Sequence, residues 1–193
     1  SIGADIFDRV TEQERAKVEK LLSSVPDAGS EIEDGANPYL IAKEMGEEMT
    51  AASTVVKTGA RLEQALSTLR SLRERSSQMR LGDAAAWTNQ SLSFARAVSD
   101  MLLLGEAIVL GGISRKESRG SHYRLDYPDR DDEQFLKTTV AEYQPGEAEP
   151  HRITFREIDT RLVRPRARTY GKTSSAGAKE SSEPVGAGQG GQS

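Results

Sequence analysis

The chain has 193 residues, a length that suits one domain with appendages better than two full domains. Its 30 acidic residues outnumber the 26 basic ones, which argues against a nucleic-acid-binding protein because such proteins carry a strongly basic face. The lack of cysteine excludes disulfides and thiolate metal sites. No signal peptide is evident, and no apolar run reaches the roughly 18 residues of a membrane-spanning helix, so we expect a soluble intracellular protein. The first residue is Ser rather than Met, which fits a fragment or a processed product.

Residues 1–36 are predicted to form a leading helix followed by a polar loop. The helix is predicted over Phe7 to Val25, with Thr11 as its N-cap and an apolar stripe along one side. Residues 27–36 carry no periodic pattern, which indicates the loop.

Residues 37–120 are predicted to form an antiparallel three-helix bundle, so the fold class is mainly α. Asn37 followed by Pro38 is a strong helix start, because Asn caps free amides and Pro needs no amide partner in the first turn. A second helix is predicted from Arg61, and a third, longer one over Ala84 to Lys116.

The long third helix is the most apolar segment and is predicted to be the most buried. One face of it is traced by Trp87, Phe94, Val98, Met101, Gly105 and Ile108. We interpret this face as core rather than as part of a cofactor site. On the preceding helix Arg73 falls among the polar residues, which predicts a solvated position.

Residues 121–170 are predicted to contain an irregular charged stretch, a short helix and a small β-hairpin. Thr138 to Tyr143 and His151 to Ile158 are rich in β-branched and aromatic residues, and a turn-forming Gln-Pro-Gly sequence lies between them. Residues 171–193 are dominated by Gly, Ser and Ala, so we expect a disordered tail.

No catalytic, cofactor-binding or metal-ligating set is predicted in this chain. The two histidines, His122 and His151, lie in different segments, and no spacing around them supports a metal site. The glycines of residues 186–191 neither follow a strand nor open a helix, so they do not form a nucleotide-binding loop. The acidic run from Asp129 to Glu133 is interpreted as a solvated helix start rather than an acid–base pair.

Arg115 to Lys137, which we call the charged segment, directly follows the most apolar helix. Twelve of its 23 residues are charged, and the two signs are interleaved. Two hypotheses fit this pattern. The segment forms a network of ion pairs that pins irregular chain across the end of the bundle, or it forms a docking surface or the rim of a substrate site.

The charged segment closely resembles the pattern R-x-E-S-R-G-x-H-x-R-x-D-x-P-x-R-D-D, a signature of the succinate dehydrogenase and fumarate reductase flavoproteins, a family that includes L-aspartate oxidase. The matching residues are Arg115, Glu117, Ser118, Arg119, Gly120, His122, Arg124, Asp126, Pro128, Arg130, Asp131 and Asp132. The sequences at residues 37–39, 87–90 and 164–166 also resemble segments of succinate dehydrogenases of the Bacillus type. Together these resemblances extend over residues 6–170.

The resemblance implies the C-terminal helical part of a flavoprotein subunit that uses FAD to oxidise succinate to fumarate. It implies packing on the flavin-binding domain of the same subunit, and electron transfer to an iron–sulfur subunit and quinone. Through the iron–sulfur subunit and a membrane anchor, the protein would be cytoplasmic and peripheral on the inner face of the cell membrane. The FAD-binding fold and the dicarboxylate-binding residues precede this region in the family and have no counterpart here. The chain alone is therefore expected to bind no FAD and to be inactive.

Two alternatives remain open. The chain could be a stand-alone helical protein-interaction module, or the corresponding domain of L-aspartate oxidase or of a soluble fumarate reductase. The Arg164-Pro165-Arg166 ending favours the enzyme of the membrane complex.

Overall fold

The computed structural model describes residues 2–25, 37–85, 87–163 and 165–166, with the backbone alone for residues 2–5. The chain divides into two units, Ser1–Ile158 and Asp159–Ser193. The first unit holds the helices and strands named below. In the second, Asp159 accepts a hydrogen bond of 2.7 Å from the Arg161 guanidinium. The loop predicted at residues 27–36 and the tail predicted at residues 171–193 lie outside the described residues.

Helices dominate the first unit, which confirms the mainly α prediction. The helices are α1 (Ile2–Leu22), α2 (Pro38–Ser53), α3 (Gly59–Ser76), α4 (Gln90–Ser114) and the short α5 (Asp132–Phe135). The strands are β1 (Val56–Lys57), β2 (Tyr123–Arg124), β3 (Lys137–Tyr143) and β4 (His151–Glu157). Helices α2, α3 and α4 pack against one another as the predicted bundle, and α1 contacts α4.

Side-chain caps fix where the three bundle helices begin. The Asn37 carboxamide accepts the Tyr39 amide at 2.9 Å, directly before α2. Thr58 caps α3, and Asn89 caps α4 by accepting the Leu92 amide at 2.8 Å. Each cap satisfies an amide that has no partner inside its helix, so the chain leaves extended backbone and enters a helix at a defined residue.

The core lies between the apolar faces of the bundle helices. Its fully buried side chains include Ile41, Leu62, Leu69, Leu72, Val98, Leu102 and Val109. At Gly105, a Cβ would lie 3.6 Å from both Leu69 and the Met49 sulfur, so a small residue here lets α4 approach α2 and α3 closely.

Four positions differ from the sequence prediction. Thr11 lies inside α1, where its hydroxyl donates to the Phe7 carbonyl, because the helix begins earlier than predicted. Trp87 precedes α4 and is 86% exposed, since Thr88 has a φ of 60° and turns the chain before Asn89 opens the helix. Ile108 is on the outer side of α4, and Arg73 points to a buried partner described below.

Helix α4 is apolar on more sides than the bundle covers. Its buried positions fall on one face, whereas Leu104 and Ile108 on another face are exposed. In the described part of the chain it is the helix whose 25 residues are long and apolar enough to cross a membrane by length and composition alone. The sequence analysis expected no uninterrupted apolar run of that length, and Arg96, Asp100 and Glu106 do interrupt α4. The same helix packs in the bundle and carries the buried Glu106, as a core helix does.

Two small sheets complete the first unit. Strands β3 and β4 pair antiparallel, with Lys137 opposite Glu157 and Tyr143 opposite His151, which confirms the predicted hairpin. Strands β1 and β2 pair in parallel, with Val56 opposite Tyr123. This second pairing was not predicted, and it joins the turn before α3 to the charged segment.

Candidate functional site

The charged segment ties the end of α4 to the start of α3 and to the hairpin. It leaves α4 at Arg115, forms β2 beside β1, and reaches β3 through α5. The Tyr123 amide donates to the Val55 carbonyl at 3.1 Å, and the Leu125 amide to the Lys57 carbonyl at 2.9 Å. These backbone bonds fix the position of the side chains between them.

Arg124 caps the C-terminus of α4 from inside the fold. Its guanidinium is almost fully buried and donates to the Gly112 carbonyl at 2.6 Å. The last carbonyls of a helix have no partner within the helix and carry partial negative charge. A buried cation at this end therefore satisfies a carbonyl and complements the helix dipole.

Asp126 connects Arg124 to the N-terminus of α3. It accepts both guanidinium bonds of Arg124, at 2.8 and 2.7 Å, and also the Gly59 amide at 3.0 Å in the first turn of α3. The hydrogen bonds from Arg124 hold the pKa of Asp126 well below its usual range, against the opposing effect of burial. One ion pair thus bridges the end of α4 and the beginning of α3, with each charge at the end that favours it.

Glu117 is the buried acceptor at the centre of the charged segment. Its side chain is completely buried and accepts from Arg119 at 2.7 and 2.8 Å, from the Asp131 amide at 2.9 Å, and from Arg115. Burial acts to raise the pKa of Glu117, but the hydrogen bonds from Arg119, Asp131 and Arg115 outweigh it and lower the pKa overall. A buried carboxylate with this many donors is fully compensated.

A second layer of ion pairs surrounds Glu117 toward the surface. Arg119 also donates to Asp132 at 2.7 Å, and Arg130 pairs with the same carboxylate. Asp131 opens α5 by accepting the Gln134 amide at 2.9 Å. The acidic run therefore starts a short helix as predicted, and Asp132 within it is also engaged with Arg119 and Arg130.

Arg115 links the segment to the hairpin. Its guanidinium donates to the Phe135 carbonyl at 2.9 Å, to the Thr139 hydroxyl at 3.1 Å and to the Lys137 carbonyl. It also lies within 5.8 Å of the centre of the Phe135 ring, a cation–π distance. The hairpin is thereby fixed to the same network as the bundle.

A tight turn holds the middle of the segment. Arg119 and His122 exchange backbone hydrogen bonds of 2.8 and 3.0 Å around Gly120, whose φ of 61° is the left-handed region that favours glycine. The Ser118 hydroxyl donates to the Tyr127 carbonyl at 2.8 Å and accepts the Arg124 amide at 2.9 Å. Ser118 and Gly120 therefore act on the backbone path of the segment rather than on chemistry.

His122 is a structural histidine in this arrangement. Its Nε2 lies 3.1 Å from the Arg115 carbonyl, which can only accept, so Nε2 carries the proton. Burial lowers the pKa of His122 and the charge of Lys57 lowers it further, against the raising effect of the Arg115 carbonyl. The ring is thus held neutral, and it donates to the end of α4.

The structure brings the predicted signature residues together in one ion-pair and hydrogen-bond network. All six positions that the signature leaves open are exposed: Lys116, Ser121, Tyr123, Leu125, Tyr127 and Asp129. The buried or half-buried side chains are among the matching positions, and their polar groups form hydrogen bonds and ion pairs inside the chain. The segment therefore stabilises this fold, and a docking role for it stays a prediction.

The sequence analysis missed one buried ion pair, which Glu106 forms with Arg73. Glu106 is completely buried on α4 and accepts from Arg73 of α3 at 2.6 Å, while its second carboxylate oxygen has no protein partner. Arg73 was predicted to be solvated. A single Glu inside an apolar helix was the available signal, because a buried carboxylate requires a cation nearby.

Within the described ranges, no group of three or more His, Asp and Glu side chains is arranged to hold a metal ion. His122 and His151 are not brought together, since the former contacts α4 and the latter lies beside Tyr143 in the hairpin.

Comparison with known proteins identifies this architecture. Residues 42–170 match the family model described as the fumarate reductase flavoprotein C-terminus. The chain belongs to this family. The match begins within α2 and continues through α3, α4, the charged segment and the hairpin, so the resemblance extends well beyond the signature.

The curated relatives that match are flavoprotein subunits. The succinate dehydrogenase flavoprotein subunit of Bacillus subtilis is 35% identical over 171 residues, covering 89% of this chain and 28% of the relative. The fumarate reductase flavoprotein subunit of Helicobacter pylori is 37% identical over 136 residues, covering 69% of this chain and 19% of the relative. The matched part of the chain thus spans only 19% to 28% of the length of these relatives.

Solved structures give the same result. A mutated form of E. coli quinol fumarate reductase FrdA superimposes with a TM-score of 0.68 at 30% identity, covering 83% of this chain and 27% of that one. The Mycobacterium smegmatis Sdh1 complex contains a chain that matches with a TM-score of 0.65 at 25% identity, covering 78% and 24%.

Proposed function

We propose that this chain is the C-terminal helical part of a succinate dehydrogenase flavoprotein subunit. In this proposal another part of the subunit binds FAD and oxidises succinate to fumarate, and electrons pass to an iron–sulfur subunit and quinone. The observation that carries the proposal is the 35% identity with the Bacillus subtilis succinate dehydrogenase subunit across 89% of this chain. The subunit would be peripheral on the inner face of the cell membrane, held there through its partners.

The role of this chain in the proposal is structural. The polar side chains of the charged segment are used to close the helical bundle, as the partners of Glu117 and Arg124 illustrate. The exposed apolar side of α4, at Leu104 and Ile108, is available for packing on another domain. Flavin chemistry, dicarboxylate binding and proton transfer would be functions of the remainder of the subunit.

The proposal is tested by comparing the chain with the polypeptide encoded around it. The coding sequence before Ser1 is expected to continue in frame into a dinucleotide-binding fold. The purified whole subunit is expected to show flavin absorbance and to reduce a dye with succinate, whereas the chain alone stays colourless and inactive. Stoichiometric flavin on the chain alone would place the cofactor site here and overturn the assignment of roles.

The same comparison separates the alternatives. A start codon directly before Ser1, with no flavin-binding polypeptide attached, would favour a stand-alone interaction module. A flavin-containing subunit that oxidises L-aspartate, or that reduces fumarate without an iron–sulfur partner, would instead assign the chain to L-aspartate oxidase or to a soluble fumarate reductase.

A further inference from the structure

A cavity of about 1170 Å³ lies between α1 and the helices α3 and α4. The C-terminal end of α1 packs on the core through Leu21, and polar bonds join α1 to the other walls of the cavity. The Lys20 ammonium donates to the Ser77 carbonyl at 2.9 Å, and Arg96 of α4 donates to Glu14 at 2.7 Å. Ligand pockets usually have volumes of about 300–1,000 Å³, so this cavity is large enough for a small molecule.

The walls of this cavity, which we call the α1 cavity, are mostly polar and carry a surplus of positive charge. The basic side chains are Lys17, Lys20, Arg73, Arg80 and Arg96, and the acidic ones are Glu14 and Asp100. The whole chain has the opposite sign, with a formal net charge of -4. Cations gathered around a concave surface raise the local concentration of anions, so the α1 cavity attracts anions although the chain as a whole repels them.

Ion pairs within the chain neutralise only part of this positive charge. Lys17 and Arg96 share a single carboxylate, that of Glu14, at 2.6 and 2.7 Å. The hydrogen bonds from Lys17 and Arg96 lower the pKa of Glu14, which keeps it ionised. Lys20 bonds an uncharged carbonyl, and among the described residues Arg80 forms no ion pair. A bound anion would therefore meet cations whose charge is not already balanced.

Stabilisation of helix ends explains one of these cations but not all of them. Lys20 lies in the last turn of α1 and bonds a carbonyl at the end of α3, where positive charge is favourable. Arg96 lies near the N-terminal end of α4, where the helix dipole gives a cation no stabilisation. Arg80 lies beyond the end of α3 at Ser76. The helix dipoles therefore do not account for Arg80 and Arg96.

Arg73 is fixed at the wall of the α1 cavity by the buried Glu106. Its Nε donates to one Glu106 oxygen at 2.6 Å, and the Arg73 side chain remains 32% exposed. This bond uses the Nε donor, which leaves the donors on the terminal nitrogens for a ligand. Both residues lie on packed helices, so the guanidinium is positioned before a ligand arrives, which lowers the cost of ordering it.

We propose that the α1 cavity is a binding site for a small anion that carries two or more phosphate or carboxylate groups. Arginine and lysine are the side chains that bind such groups, and the arginine fork matches both. The cations come from different walls, with Lys20 on α1 and Arg73 on α3, so a ligand charged at two points can bind both walls. The site shares no residue with the charged segment, and the inference does not depend on the proposed function.

Isothermal titration calorimetry of the full chain tests the proposal. Pyrophosphate and citrate are titrated separately at constant ionic strength, with sodium chloride as the blank. We expect saturable one-to-one binding of at least one of them, and the tighter of the two shows whether phosphate or carboxylate is preferred. Arg80→Gln is expected to weaken binding at least about tenfold, because it removes a charge-assisted contact to the anion.

Matched variants separate binding in the α1 cavity from a response to net charge. Lys43→Gln removes the same charge from the exposed surface of α2 and is expected to bind as the unaltered chain does. Lys20→Gln keeps a donor for the Ser77 carbonyl and is expected to weaken binding as Arg80→Gln does. Arg80 is exposed and lies outside the helices, so circular-dichroism melting of Arg80→Gln is expected to be unchanged.

Three results would overturn the proposal. The first is a lack of saturable heat with either anion up to about 10 mM. The second is equal weakening by Lys43→Gln and Arg80→Gln, which would show that the anion responds only to net charge. The third is unchanged binding in both Arg80→Gln and Lys20→Gln, which would place the anion elsewhere on the chain. The titration does not involve flavin, so none of these results bears on the proposed function.

Discussion

Replacing Glu117 with alanine is expected to destabilise the chain strongly. The substitution removes the acceptor for Arg119, for Arg115 and for the Asp131 amide, all in a region where the carboxylate is completely buried. Removing one partner of a buried ion pair typically costs about 3–5 kcal/mol, because the other charge stays desolvated. For a chain of this size, that loss lowers the thermal midpoint by about 6–20 °C.

The matched control is Glu47→Ala, which removes the partner of Lys43 on the surface of α2. Both side chains of that pair are 69% exposed, and their charged atoms are 3.9 Å apart. An exposed pair of this spacing contributes about 0.3–0.5 kcal/mol. Both variants are compared by circular-dichroism melting. Midpoints that fall by the same small amount would show that Glu117 is solvated, and the buried network would have to be abandoned.

Three further results are expected. Gly59→Ala places a Cβ 2.9 Å from a carboxylate oxygen of the charged segment and should cost about 1–3 kcal/mol. Gly46→Ala, where no atom lies within 4 Å, should instead stabilise α2 by about 0.5–1 kcal/mol; urea unfolding that ranks the two the other way would refute the contact. Arg73→Ala strands the buried Glu106 and should cost about 3–5 kcal/mol, against at most about 1 kcal/mol for Arg75→Ala, whose ion pair is partly exposed. Glu117, Asp126 and Asp132 have lowered pKa values, so their stabilisation is present above the usual values of 3.8 to 4.5 and is lost as the pH falls through the folded-state values. The midpoint should therefore drop increasingly as the pH falls below about 4.5, and a flat profile would contradict the pairing.

Local patterns were sufficient to predict the bundle and the hairpin. The Asn37-Pro38 start, the spacing of Leu62, Leu69 and Leu72, and the turn between β3 and β4 each act over a few residues. Trp87 was wrongly predicted to lie on the core face of the long helix, because a turn at Thr88 separates it from the start of α4. Ile108 was misplaced because α4 is apolar on several faces, and periodicity alone does not say which face is covered.

Long-range pairs could not be predicted in the same way. The strands β1 and β2 have two residues each, which is too short for a periodic signal, and their pairing depends on the antiparallel course of α3 and α4. The charged segment was recognised as an ion-pair candidate from its composition. Which arginine would be buried, and that Arg124 would cap α4, depended on where the helix ends.

The contact between Gly59 and Asp126 also has a consequence for folding kinetics. These residues are 67 positions apart, and the loop that they close contains α3 and α4. Closing so long a loop carries a large entropic cost unless the intervening helices have already paired. We therefore expect the bond to form after the helical hairpin of α3 and α4, late in folding. Interactions that form late in folding affect the unfolding rate more than the folding rate. We therefore expect the hydrogen bond between Gly59 and Asp126 to slow unfolding more than it speeds folding.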